Sequence, residues 1–88
     1  MLPLNYAILR LFLHHDVLDA DGVMSALCGD YGRSRQFRRA AIVESLMTAE
    51  VNGLLEEASA SLDANQQLVV AYRVTESGRA MIGRFIGA

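Results

Sequence analysis

Apolar positions along the chain fall into six segments separated by polar or glycine-bearing breaks. Ile8, Leu11 and Phe12 recur at helical spacing, with Leu4 and Tyr6 near the entry. They predict a first helix over residues 5–15, with Asn5 as its cap. Asp16 to Asp21 is a polar break around Val17 and Leu18. Asp19 or Asp21 suits the N-cap of a short second helix through Cys28 that buries Val23, Met24 and Leu27. Gly29-Asp30-Tyr31-Gly32 reads as a turn.

A third helix is expected from Ser34, a good N-cap residue, to Glu50. On a helical wheel Ala40, Val43, Leu46 and Met47 share one side, while Ser34, Arg35, Arg38 and Ser45 share the other. Ile42 falls near the outward side, where the pattern offers no reason for it. Asn52-Gly53 supplies a left-handed stop, and Leu54-Leu55 starts a strand. Ala58, Ala60 and Leu62 alternate with Ser59 and Ser61, as in a strand with one wet face. The polar loop Asp63 to Gln67 has hairpin length, and a second strand follows from Leu68 to Val74. Thr75 suits the cap of a last helix from Glu76 to Ile86 that buries Met81, Ile82 and Phe85. The predicted class is therefore α+β, in the order helix, helix, helix, strand, strand, helix.

That order carries a resemblance. Val51-Asn52-Gly53-Leu54-Leu55, a polar hairpin, then Tyr72-Arg73-Val74-Thr75-Glu76-Ser77-Gly78-Arg79 resemble the back half of winged-helix transcription regulators. The small PadR-like and MarR-like domains are the relevant members, although Val74 stands where leucine is commoner. The resemblance implies one winged helix-turn-helix domain over residues 1–88. It also implies sequence-specific binding of double-stranded DNA through a recognition helix at 34–50, and regulation of transcription. Family wings often carry a basic residue, whereas this hairpin has Asp63 at its tip, amides beside it, and Glu56 and Glu57 at its base. In many members the last helix joins the first in a dimer contact, which implies a homodimer here.

Size and composition sharpen this reading in three ways. Eighty-eight residues hold a single core, and 52% apolar residues exceed what one small core usually takes, so some apolar surface should need cover. The lone cysteine, Cys28, forms no internal disulfide, which makes a reducing cytoplasmic setting the expectation. The N-terminal apolar run is too short and interrupted for a signal peptide or a membrane span, so no membrane association is expected.

Charge is divided along the chain. The net charge is only −2, yet residues 31–40 hold four of the eight arginines and no acid, and lysine is absent. Residues 44–63 hold five acids and no base. Arginines at a helix N-terminus oppose the helix dipole by about 0.3–1 kcal/mol each, which an external anion would reverse. Arg33, Ser34, Arg35, Gln36, Arg38 and Arg39 are therefore the candidate DNA-binding residues. The bland alternative is ion pairing across the fold with Asp16, Asp19, Asp21 or Asp30, or plain solvation. A different function would be a winged-helix protein-interaction module whose arginine edge docks an acidic partner.

Catalytic and metal chemistry find little support. His14 and His15 are adjacent and point about 100° apart on a helix, so they cannot chelate together. Their expected role is at the C-terminal end of the first helix, where a cation suits the dipole. Nothing local activates Cys28, which is expected in the core. The glycines are spaced for turns, not for a phosphate-cradling loop. No enzyme activity, metal or cofactor is expected.

Overall fold

A computed structural model describes residues 2–87. It contains helices α1 (Leu4–Leu11), α2 (Ala20–Tyr31) and α3 (Arg39–Val51), strands β1 (Leu55–Leu62) and β2 (Leu68–Val74), and helix α4 (Glu76–Phe85). This is the expected order and a winged-helix arrangement. The core gathers Ile8 and Phe12 from the first helical segment, Val23 and Leu27 from α2, Ile42 and Leu46 from α3, and Leu55 and Tyr72 from the strands.

Two caps follow the expectation because their chemistry is local. The Asp19 carboxylate accepts from Gly22 N at 2.8 Å, and the Thr75 hydroxyl accepts from Gly78 N at 2.8 Å. The same Thr75 hydroxyl donates to the Gly53 carbonyl at 2.6 Å, which ties the start of α4 to the end of α3. Gly53 takes φ +78, the left-handed stop expected after α3. Gly78 is needed for a different reason. A Cβ there would lie 2.0 Å from the Leu54 carbonyl oxygen, so α4 can sit against that carbonyl only without a side chain.

Several boundaries differ from expectation. α1 stops at Leu11, and residues 12–14 continue as a turn closed by Leu13 N to Arg10 O and His14 N to Leu11 O. Stopping early frees Leu18, whose N–H and C=O both pair with Tyr72 at 3.0 and 2.8 Å. The polar break therefore contributes a one-residue bridge to the sheet. Asn5 is not the cap of α1: Pro3 holds that position, and the Asn5 side chain accepts from the Ser45 hydroxyl at 2.8 Å. α2 continues to Tyr31, whose hydroxyl donates to the Leu2 carbonyl and whose ring packs on the core. That register buries Ala20, Val23 and Leu27 and leaves Cys28 exposed, not in the core.

The sheet is an antiparallel pair with a bulge between Glu57 and Ser59. Beyond it the hairpin leaves the body: Leu55 is buried, Ala58 partly, and Leu62 and Leu68 are exposed. Asp63 closes the tip by accepting from Asn65 N and Gln67 N at 2.8 and 2.9 Å. In α4 only Gly78 and Ile82 are buried; Met81 and Phe85, expected in the core, are exposed.

Candidate nucleic-acid interface

Phe37 decides where the third helix begins. The expected helix from Ser34 would set Phe37 and Ile42 about 140° apart, at ~100° per residue, so both could not face one core. The chain instead crosses residues 32–38 as a loop, and Phe37 packs half-buried against the core. Arg38 is extended at φ −130, ψ 147, and α3 begins at Arg39. Ile42 N donates to Arg38 O at 2.9 Å as an early helical bond. Ser34 is thus not the N-cap. Its hydroxyl accepts from Gln36 N at 3.3 Å inside the loop, and its carbonyl accepts from Phe37 N at 3.1 Å.

The start at Arg39 turns α3 so that Ile42, Leu46 and Ala49 form the buried stripe. Ile42, which the wheel left outward, is completely buried. The expected inward side of Ala40, Val43, Leu46 and Met47 is corrected accordingly: Met47 and Ala40 are exposed and Val43 is only partly covered.

All six candidate residues are exposed at the α2–α3 corner. Arg33, Ser34, Arg35 and Gln36 stand on the loop, Arg38 at the N-cap position and Arg39 on the first turn. Arg39 is paired within the fold, its Nε 3.2 Å from the Asp21 carboxylate. Both side chains are well exposed, so the pair stabilises the fold by roughly 0–1 kcal/mol and exchanges readily for another anion. Among the described residues Arg33, Arg35 and Arg38 have no carboxylate within ion-pair distance. No side chain caps α3, and its first turn holds no acid. Free helix N–H groups, the positive end of a dipole and planar guanidinium donors thus share one corner, which suits an anion with several oxygens.

Past Arg39, the outward face of α3 has another character, which the sequence wheel missed. It presents Ala40, Val43, Glu44, Met47, Thr48 and Val51, with no cation. A wheel anchored on Ile42 would have found it. The hairpin continues that character with Glu56, Glu57 and Asp63, and its nearby cation, Arg73, lies 4.0 Å from Glu56. His14 and His15 are exposed beyond the end of α1 and off the helix expected to carry them. Among the described residues no helix is long and apolar enough to cross a membrane.

No protein-family model matches the chain, and no curated protein matches it by sequence. Solved structures do. The chain is similar to PadR of Bacillus subtilis, solved in complex with operator DNA, with a TM-score of 0.73 and 19% identity over 94% of this chain. It spans 46% of that PadR chain, less than half of its length. It is also similar to a proposed transcriptional regulator from Thermoplasma acidophilum, with a TM-score of 0.71 and 15% identity over 92% of this chain and 74% of that one. Likenesses at these identities establish a shared winged-helix fold.

Proposed function

We propose that this chain is a small transcriptional regulator that binds double-stranded DNA through the α2–α3 corner. One observation carries the reading: three exposed arginines without a carboxylate partner among the described residues lie on the loop and N-cap position that lead into a helix with no side-chain cap. Phosphate oxygens answer both needs, since they bring charge to the arginines and acceptors to the free N–H groups. In this reading Arg33 and Arg39 hold the backbone, with Ser34 and Gln36 donating to phosphate or sugar oxygens. Arg35 and Arg38 are placed to reach guanine O6 and N7 as the first turn of α3 meets the major groove. The fold shared with a PadR solved on its operator supports this partner.

The same reading includes a cytoplasmic homodimer. Met81 and Phe85 stand one turn apart on the exposed side of α4, which packs against α1, and they supply apolar surface for a second copy. Arg38→Ala is expected to weaken binding to duplex DNA about tenfold, and Arg35→Ala added to it about a hundredfold. Fluorescence anisotropy with labelled duplexes measures both. Wild-type affinity in the two variants would remove the corner as the contact.

A second reading rests on the net charge of −2 and the acidic hairpin. In it the domain is a protein-interaction module, and the arginine corner docks an acidic protein surface. Duplex DNA would then fail to bind at physiological salt even with the corner intact.

A further inference from the structure

Between α3 and the hairpin lies a cleft of about 300 Å³, with Val43 and Met47 on one wall and Leu68 and Val70 on the other. Its apolar lining runs on over the outward face of α3, through Met47 to Val51. Met47, Val51 and Leu68 are 53%, 85% and 65% exposed, so burying them would release more free energy than their present packing does. The apolar surplus noted in the composition therefore lies partly here, on a surface unlike the arginine corner.

Charge indicates what covers it. Glu44 lies beside the apolar strip, and Glu50 and Glu57 line the cleft. Among the described residues none of the three has an ion-pair partner. Glu50 and Glu57 also approach Tyr72 in the cleft wall closely enough to add to the upward push that burial gives its phenol. Among the described residues Arg39 is the one cation lining the cleft, against Glu50 and Glu57, and stands beside the arginine corner with Asp21 3.2 Å from its Nε. Phosphate is thus a poor occupant, and a two-fold-related copy would set acid against acid.

We propose that this cleft docks an amphipathic protein segment whose apolar anchors fit between Met47 and Leu68 and whose lysines or arginines meet Glu44, Glu50 and Glu57. The inference goes beyond the DNA reading and does not depend on it.

The test uses the whole chain and a fluorescent amphipathic leucine–lysine peptide, with a leucine–glutamate peptide of the same pattern as control. The lysine peptide should bind at least about tenfold more tightly than the glutamate one. Met47→Ser with Leu68→Ser should cost about tenfold, as loss of two apolar anchors does. Glu50→Gln with Glu57→Gln should cost about threefold and flatten the salt dependence. All four side chains lie on the surface or its margin, and circular dichroism melts verify that each variant folds. Arg35→Ala with Arg38→Ala should leave peptide binding unchanged while DNA binding falls, so the two surfaces fail separately.

Equal binding of the two peptides, or indifference to the Met47 and Leu68 changes, would overturn the proposal. So would a wild-type dimer in sedimentation that Met47→Ser dissociates, which would give the cleft to a second copy. A chain that ignores the peptide but loses DNA affinity through Met47→Ser and Leu68→Ser would give it to DNA.

Discussion

Thr75 holds three parts of the chain with its hydroxyl and its backbone N–H. It accepts from Gly78 N and donates to the Gly53 carbonyl, while Thr75 N donates to Leu54 O at 3.0 Å. The end of α3, the start of β1 and the start of α4 meet at this residue. Thr75→Ala should cost about 1–2 kcal/mol, a cap together with a partner for a carbonyl. In a domain of this size that lowers the melting temperature by roughly 4–16 °C. Thr75→Ser, which keeps the hydroxyl, should recover most of it. A thermal melt monitored by circular dichroism checks both; an unchanged Thr75→Ala melt would remove the hydroxyl from this role. Thr75 and Asp19 were legible in the sequence because a cap is decided within a few residues. Cys28 was not, because its burial depends on which side α2 turns inward once it continues to Tyr31.

The elements were legible in kind and order, and less so in register. Six apolar segments, two caps and a left-handed glycine identify the helices and strands. The start of α3 turns on Phe37, whose burial against residues distant in sequence converts a predicted helical turn into loop. That shift rotates the helix, sends Ile42 inward and brings Met47 out. The bridge at Leu18 was hidden for a similar reason, since its partner Tyr72 lies far along the chain.

The hairpin is docked on the body through that pair, and Tyr72 gives it a pH dependence. Burial, then the charges of Glu50 and Glu57, raise the phenol above its ordinary value of about 10. A raised acid is held neutral by the fold, so its share of stability is complete below pH 10 and is lost as pH climbs through the higher folded value. Urea unfolding should therefore show the wild type losing stability as pH rises above 10 by more than Tyr72→Phe loses. Parallel declines in the two proteins would contradict this origin.

Across the molecule, the arginine corner occupies one end of α3, and the acids of α3 and the hairpin border the apolar strip beyond it. The division was visible along the sequence as a basic stretch followed by an acidic one. Its spatial sense was not, because the arginines were expected along a helical face and the structure gathers them at a corner. A net charge of −2 gives no bulk attraction to DNA, so the proposed affinity rests on a local cluster of cations, and that corner holds four of the eight arginines. The outward face of α3 gives the same answer, having no cation beyond Arg39.

The most direct test of the central claim is the affinity for duplex DNA measured across a salt series, for the wild type and for Arg33→Ala with Arg39→Ala. Contact with three or more phosphates predicts a log–log slope of about −3 or steeper, at ~0.9 per phosphate, made shallower by about 2 in the double variant. A flat wild-type series, or one the substitutions leave unchanged, would contradict the account.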